Sequence, residues 1–286
     1  MEAKSVWALG CELGEGPVWA DGALWFVDIK RPHVYRYDPA SAERRNWPAP
    51  DAIGFLFPAE GGGFVAGLRD GLHRFDPASG TFARIVEVEP GVAGNRLNDG
   101  AVDPEGRLWF GTMDAGERER TGAFYCFARG KLAPTGLEGI AITNGPCLSP
   151  DGRILYFVDT LAGTIEAADI GEGGALSGRR PFVRIDPEEG HPDGPTIDAE
   201  GCVWISLFGG WEARRYSPGG ELIGRVRFPV PNITKIAFGG EDLKTGYATT
   251  ARLHMKPADL AGLPASGDLF AFPVDVPGLP CPRVSA

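Results

Sequence analysis

Apolar and polar positions alternate in short blocks along the chain, and one arrangement of them occurs four times. In each copy a residue with a side-chain oxygen stands before Gly or Asp-Gly. A short apolar run, an acidic residue followed by Gly, and an aromatic-rich apolar strand come next. The leading residues are Glu15, Asn98, Asn144 and Asp193. Because the copies are in register, we expect these four residues to occupy equivalent places in equivalent structural units.

The aromatic-rich strand predicts the fold. It recurs at spacings of 40 to 48 residues, with its centre at Trp25, Val65, Trp109, Tyr156, Trp204 and Tyr247. Repeats of about 40 to 50 residues that consist of short strands and tight turns are typical of β-propeller blades. The sequence therefore predicts an all-β, six-bladed β-propeller with four-stranded antiparallel blades, formed by residues 1–286 as a single domain.

The segment from Gly267 to Asp275 resembles the second strand of a blade, and it predicts how the ring closes. We expect this C-terminal strand to pair beside N-terminal residues. The pattern predicts one helix, at about residues 257–261. Residues 115–120 and 171–178 are predicted to form exposed loops between strands.

Composition and charge exclude several classes of protein. The chain has 286 residues with a net charge of −10, which argues against binding to nucleic acid or to an anionic membrane surface. No run approaches the roughly 18 apolar residues of a membrane span, and Met1 to Lys4 begin no apolar leader, so a cytoplasmic protein is expected. The five cysteines show neither CxxC nor Cys/His ligand spacing, which favours buried free thiols.

The leading residues of the repeats suggest a metal site. The innermost strand of each propeller blade runs along the central channel, so equivalent positions converge there. Glu15, Asn144 and Asp193 offer two carboxylates and one amide oxygen, a set that suits one divalent cation such as Ca, Mg, Mn, Fe(II) or Zn. Asn98 could reach a water on the ion or a ligand. The alternative is that these side chains only bond the backbone amides of local turns.

Two further side chains are candidates for contact with a substrate. Arg96 lies two residues before Asn98 on the same side of an extended strand, so we expect it to point into the same channel. The alternative for Arg96 is a salt bridge with Asp99 or Asp103. Glu117, in the loop that follows the strand of the third unit, could cover the channel mouth, although a solvated charge run is the alternative.

His191 and Lys235 are weaker candidates for the same site. His191 precedes Asp193 by two residues and could lie at the edge of the site. Lys235 stands near the corresponding position of the last unit, where an insertion before Tyr247 obscures the register. The sequence gives neither residue a role.

These motifs resemble the SMP-30/gluconolactonase/regucalcin family of six-bladed propeller lactonases over nearly the whole chain. The matching segments are Leu13 to Pro17, Asn95 to Gly100, Gly111 to Met113, Ile142 to Pro146, Pro192 to Gly194 and Asn232 to Lys235. The resemblance implies a divalent metal on Glu15, Asn144 and Asp193, sugar contacts from Arg96 and Asn98, and Asp193 as general base. It is greatest toward bacterial sugar-acid lactonases, including xylonolactonases.

The reaction expected from this resemblance is hydrolysis of a small-molecule sugar aldonolactone, of the xylonolactone or gluconolactone type, to the aldonic acid. The ion would polarise the ester carbonyl while Asp193 accepts a proton from the attacking water. Arg96, Asn98 and Glu117 predict a polar channel mouth that is suited to polyols. Two alternatives stand beside this hypothesis, namely a calcium-binding regulatory propeller without catalysis and a broader paraoxonase-like esterase with an apolar mouth.

Overall fold

The computed structural model describes residues 2–286, which consist almost entirely of strands and turns. One α-helix, α1, spans Pro257–Gly262 and agrees with the predicted helix. Short 3-10 turns cover Glu172–Gly174 and Pro187–Glu189, and the first of them lies in a segment that was predicted to be a loop. The described residues contain no helix with the length and apolar character that crossing a bilayer requires.

The first strand, β1 (Lys4–Trp7), is followed by four separate antiparallel sheets of four strands each. The first sheet has β2 (Gly14–Ala20), β3 (Ala23–Asp28), β4 (His33–Asp38) and β5 (Glu43–Pro48). The second has β6 (Ile53–Pro58), β7 (Phe64–Leu68), β8 (Gly71–Asp76) and β9 (Thr81–Glu87). The third has β10 (Asn95–Val102), β11 (Leu108–Asp114), β12 (Gly122–Ala128) and β13 (Lys131–Ile140). The fourth has β14 (Thr143–Leu148), β15 (Ile154–Asp159), β16 (Thr164–Ile170) and β17 (Leu176–Arg184).

The remaining strands join β1 in one eight-stranded sheet. They are β18 (His191–Ile197), β19 (Val203–Phe208), β20 (Glu212–Tyr216), β21 (Leu222–Arg227), β22 (Ile233–Gly239), β23 (Thr245–Thr250) and β24 (Leu269–Pro273). Their order in the sheet is β1-β24-β23-β22-β18-β19-β20-β21. The prediction of six four-stranded blades is therefore wrong, because the propeller-like arrangement has four such blades and one sheet of eight strands.

A single close approach explains why the eight strands are continuous. β18 and β22 pair in parallel at one position, where Gly194 lies opposite Lys235. A Cβ atom on Gly194 would lie 2.7 Å from the Cβ of Lys235, so only glycine allows the two strands to come this close. The absence of one side chain therefore fuses two strand groups that the repeat pattern treats as separate.

The inner strands surround a central axis. β2, β6, β10, β14, β18 and β22 contact one another in this order, and β22 also contacts β2. The C-terminal strand β24 pairs with β1, with Lys4 opposite Ala271. The ring places the leading residues of the four repeats on neighbouring strands around one axis.

Aromatic side chains fill the space between successive sheets. Phe55 of β6 contacts Phe110 of β11 at 5.8 Å between ring centroids, and Phe124 of β12 contacts Phe157 of β15 at 5.5 Å. Such pairs add about 0.5–1.5 kcal/mol each beyond the area they bury. Aromatic residues of the repeat, such as Phe110 and Phe157, therefore help to hold neighbouring sheets together.

A buried aspartate stabilises the turn that precedes two of the aromatic strands. Asp103 accepts hydrogen bonds from the amide of Arg107 at 3.0 Å and from the indole of Trp109 at 2.8 Å. Asp198 accepts equivalent bonds from the amide of Cys202 at 3.1 Å and the indole of Trp204 at 2.9 Å. The acidic residue and Gly that the repeat shows are thus parts of a larger turn held by a carboxylate three residues before the glycine.

Candidate functional site

The four leading residues of the repeats all lie at β-bulges. The pairing register shifts between Glu15 and Val18 in β2, between Leu97 and Gly100 in β10, between Asn144 and Cys147 in β14, and between Pro192 and Pro195 in β18. A bulge bends the strand and redirects the side chain beside it, and bulges are common next to active sites. Gly16 and Gly145 have left-handed φ angles of +54° and +77° and so contribute to this backbone change beside Glu15 and Asn144, whereas Gly100 and Gly194 have no such angle.

The leading side chains meet at a cavity of about 390 Å³ at one end of the axis. Seven of the sequence candidates line it: Glu15, Arg96, Asn98, Glu117, Asn144, His191 and Asp193. The volume falls within the range of small-molecule sites, roughly 300–1,000 Å³. Lys235 does not line this cavity, so the structure separates it from the other candidates.

Glu15 and Asp193 are almost fully buried, and each uses only one carboxylate oxygen locally. Oε2 of Glu15 accepts the amide of Gly16 at 2.9 Å, and Oδ1 of Asp193 accepts the amide of Gly194 at 2.9 Å. The hydrogen bonds among residues 2–286 leave Oε1 of Glu15 and Oδ2 of Asp193 unused. The local turn bonds are thus present, but they leave one oxygen of each carboxylate for a ligand.

Asn144 presents its amide oxygen within a short chain of hydrogen bonds. Its Nδ2 donates to the hydroxyl of Thr160 at 2.9 Å, and its Oδ1 accepts from Nδ2 of Asn98 at 3.1 Å. Asn98 also donates to the carbonyl of Thr143 and accepts from the Arg96 guanidinium at 2.6 Å. A carbonyl oxygen has two lone pairs, so Oδ1 of Asn144 can still take one further partner.

The pKa values of both carboxylates are raised. Burial, together with the charge of Asp99, raises the pKa of Glu15 to about 8. Burial and the charges of Glu15 and Asp99 raise the pKa of Asp193 well above its ordinary value. Like charges that are buried together disfavour ionisation, and a cation between them would remove this penalty.

Beneath these carboxylates a third one is neutralised by a lysine. Oδ1 of Asp99 accepts from Nζ of Lys235 at 2.5 Å and from the amide of Gly100 at 2.7 Å. Oδ2 of Asp99 accepts the amide of Gly145, next to Asn144, at 2.8 Å. Lys235 therefore forms part of the floor under the site, a placement that the uncertain register of the last repeat did not predict.

Arg96 lines the cavity, and the alternative, a salt bridge with Asp99 or Asp103, is not present in the structure. Asp103 pairs with Arg107, while Arg96 donates to Asn98 and to the carbonyl of Leu97. Burial lowers the pKa of Arg96 to about 10. Its Nε atom is buried and has no hydrogen-bond partner within residues 2–286. A buried donor without a partner destabilises the protein unless a ligand or a water molecule accepts its hydrogen bond.

Glu117 belongs to an ordered loop in which Arg118, Glu119 and Arg120 are exposed, while Glu117 itself is partly buried. The Asp114 carboxylate accepts the amides of Gly116, Arg118 and Glu119, and Arg120 binds Asp159 of the next sheet at 2.9 Å. The side chain of Glu117 is only 22% exposed and faces the cavity. The loop thus carries one acidic side chain to the mouth of the cavity.

The wall of the cavity is more apolar than the sequence predicts. Besides the candidates, it is lined by Leu13, Met113, Ile142, Thr160, Leu161, Phe208, Gly209, Leu253 and His254. Thr160 follows Asp159 at the end of β15, but Ala115, which follows Asp114 at the end of β11, does not line the cavity, so the repeat does not single out Thr160. His254 and Leu253 lie in an irregular segment without repeat signal, so no pattern pointed to them.

The donor set fits a divalent cation only if the amide of Asn144 takes part. Among residues 2–286 there is no group of three His, Cys, Asp or Glu side chains that could hold a metal ion. The two carboxylates and the amide nevertheless each have an oxygen lone pair that is free and faces the same cavity. Hard divalent cations accept such oxygen ligands. The set has no thiolate, which counts against a structural zinc site.

Comparison with known proteins shows similarity along nearly the whole chain. A model of the family described as SMP-30/gluconolactonase/LRE-like region matches residues 13–252. A 6-deoxy-6-sulfogluconolactonase from Pseudomonas putida is 34% identical over 93% of this chain and 92% of its own length. An L-arabinolactonase from Azospirillum brasilense is 36% identical over 90% of this chain and 87% of its own length.

A solved structure has nearly the same fold. The crystal structure of a calcium-binding protein, regucalcin, from Agrobacterium tumefaciens superposes with a TM-score of 0.94 at 29% identity, covering 98% of this chain and 96% of that one. The similarity extends through the strands that carry the cavity residues.

Proposed function

The chain belongs to the SMP-30/gluconolactonase/LRE-like family, and from this premise we propose that it is a sugar lactonase that opens an aldonolactone to the aldonic acid. Relatives named for gluconolactone-type and arabinolactone substrates support this reaction class. The observation that carries the proposal is the cavity itself. It joins two buried carboxylates, an amide oxygen and an unpaired arginine donor.

The residues divide between holding the substrate and moving protons. Nε of Arg96 donates to a lactone oxygen, and Oδ1 of Asn98 accepts from a sugar hydroxyl. Glu117 accepts hydroxyl protons at the mouth. Asp193 takes a proton from the water that adds to the carbonyl carbon, and it returns this proton to the ring oxygen as the ring C–O bond breaks.

We further propose that this hydrolysis depends on one divalent cation held by Glu15, Asn144 and Asp193. When bound, such an ion polarises the ester carbonyl and stabilises the negative charge that develops on its oxygen. The free oxygens of Glu15 and Asp193 support the assignment. Ca, Mg, Mn, Fe(II) and Zn all accept oxygen ligands, so availability and geometry would select among them.

A panel of lactones tests both proposals together. The protein is stripped with a chelator, each of the five cations is restored in turn, and acid release is measured for xylono-, arabino-, glucono- and galactonolactone. We expect no turnover after stripping and recovery with at least one cation. Full activity in the stripped protein would reject metal dependence, whereas no activity on any lactone with any cation would reject the lactonase assignment.

The alternative of a calcium-binding protein without catalysis is supported by the similarity to regucalcin. It predicts calcium binding by titration together with no acid release on the same panel. The apolar residues in the cavity wall support a second alternative, a broader esterase. Phenyl acetate added to the panel distinguishes it, because an aryl esterase would prefer that substrate to every sugar lactone.

A further inference from the structure

A contact across the mouth of the cavity joins two loops that are far apart in the sequence. His254 lies between β23 and α1, and its Nε2 is 3.1 Å from Oε2 of Glu117 in the loop after β11. Both side chains line the cavity. The pair therefore forms one part of the rim through which a substrate enters.

Both Glu117 and His254 adopt a left-handed backbone conformation that residues other than glycine rarely adopt. The φ angle is +60° at Glu117 and +65° at His254. Non-glycine residues in this region cost of order 1–3 kcal/mol, and they persist only where surrounding contacts hold them. Such strain on the two partners of one contact, at the rim of the candidate site, indicates that the position of these side chains matters.

Independent contacts hold His254 toward Glu117. The imidazole packs edge-to-face on Phe208 of β19, with ring centroids 6.2 Å apart and the planes at 72°. On the chain itself, the amide of Leu253 donates to the carbonyl of Glu12 at 2.9 Å, and that of Met255 donates to Arg252 at 2.9 Å. The ring is thus anchored although its side chain is 63% exposed.

Glu117 is close enough to two cations to affect them. Its charge opposes the lowering of the pKa that burial causes at Arg96, which lines the cavity, and at Lys30. The direct partner of its Oε2 atom is His254. Without this partner the carboxylate would be free to turn toward Arg96 and compete with the substrate for the guanidinium.

We propose that His254 is a positioning residue that fixes Glu117 at the rim and so sets the affinity for the lactone. This inference rests on the proposed function. It assigns His254 no proton transfer, so its loss affects binding of the sugar and not the hydrolytic step.

Two substitutions separate the contact from the backbone. Asn accepts left-handed backbone angles well but is too short to reach Glu117, so His254→Asn removes the contact and the packing of the ring on Phe208 while the backbone angle is kept. Gln is long enough to donate from its amide, so His254→Gln should restore it. We expect His254→Asn to raise KM by about threefold to tenfold with kcat within about twofold, because one partly exposed hydrogen bond to a charge is lost. His254→Gln should recover most of the KM change.

His33→Asn is the matched control, since His33 bonds a backbone carbonyl in the first sheet and does not line the cavity. Hydrogen–deuterium exchange of residues 115–121 gives a readout that is independent of hydrolysis. His254→Asn should accelerate exchange there, and His33→Asn should not. Unchanged KM and unchanged exchange in His254→Asn would overturn the inference while leaving the lactonase intact. If no lactone is turned over by the unaltered protein, the proposed function fails, and unchanged exchange alone would then reject the positioning of Glu117.

Discussion

At the scale of single residues, the proposed roles of Asp193 as metal ligand and proton acceptor conflict with the stability of the fold. Its carboxylate is buried beside that of Glu15, and burial raises the pKa of Asp193. Its Oδ2 atom has no hydrogen-bond partner within residues 2–286, a cost that makes sense only if a ligand takes that position. The same feature that supports catalysis should therefore weaken the protein when no ligand is present.

Replacing Asp193 by Asn tests this conflict. We expect Asp193→Asn to lower kcat by about 10²-fold or more, because both a metal ligand and the proton acceptor lose their charge. The metal-free variant should unfold at a temperature equal to or above that of the unaltered protein, since one buried charge is gone. Asp169→Asn, which changes an exposed carboxylate on β16, serves as control and should leave kcat unchanged. Retained lactonase activity in Asp193→Asn would remove this residue from the mechanism.

The ion pair of Lys235 and Asp99 beneath the site predicts a loss of stability when the lysine is replaced. Lys235→Met should destabilise the protein by about 3–5 kcal/mol, because Asp99 is left buried and uncompensated near two other carboxylates. Adding Asp99→Asn should restore much of the loss, since Asn can still accept an amide of Gly100 or Gly145. Urea denaturation of both variants measures the difference. Equal stability of the single and double variants would show that the lysine does not compensate that charge.

At the scale of strands, Gly194 controls how closely β18 approaches β22. A methyl group there would meet the Cβ of Lys235 at 2.7 Å, so we expect Gly194→Ala to cost about 1–3 kcal/mol. Gly224→Ala on the outer strand β21 is a matched control, because its new Cβ would be 3.4 Å from Arg215 and its φ is not positive. Thermal unfolding compares the two, and an equal effect would mean that the close approach is not what limits this position.

The repeat pattern explains why strands could be predicted and why their grouping into sheets could not. The hydrophobic pattern, the turn residues and their spacing are all properties of a single repeat unit. They therefore predict the aromatic strands and the equivalence of the four leading residues, Glu15, Asn98, Asn144 and Asp193. The fusion at Gly194 depends on one contact between units, which no local pattern records.

The same distinction applies to the cavity. His254 reaches Glu117 from a segment outside the repeat, so its place depends on tertiary packing. Thr160 occupies a repeated position, but its equivalent Ala115 does not line the cavity, so the repeat does not identify it either.

At the scale of the whole molecule, the closed ring of inner strands makes the site and the fold depend on each other. Each inner strand contributes to the axis and contacts two neighbours, so a change in charge at the axis acts on several strands at once. We propose that residues 1–286 behave as a single domain and expect one cooperative unfolding transition. Two separated transitions with different protease sensitivity would indicate independent units.

The charge at the axis predicts how stability depends on pH in the metal-free protein. The pKa of Glu15 is about 8 in the folded chain against an ordinary value of 4.5, so its protonated form is favoured by folding. The stability that this gives is complete below about pH 4.5 and is lost as the pH rises through 8, by as much as about 5 kcal/mol for this one group.

We therefore expect the unfolding temperature of the stripped protein to fall between pH 5 and pH 8. A divalent cation should reverse the fall, and its stabilising effect should grow with pH because fewer protons then compete for the carboxylates. Calorimetry at several pH values with chelator or cation measures both trends. Asp193→Asn should flatten the slope of the stripped protein, since it removes a second buried carboxylate, whose own pKa is raised by burial and by the charge of Glu15. A stripped protein whose stability is constant from pH 5 to pH 8 would mean that the buried carboxylates are already compensated by other groups, and the cavity would then have no need of an ion.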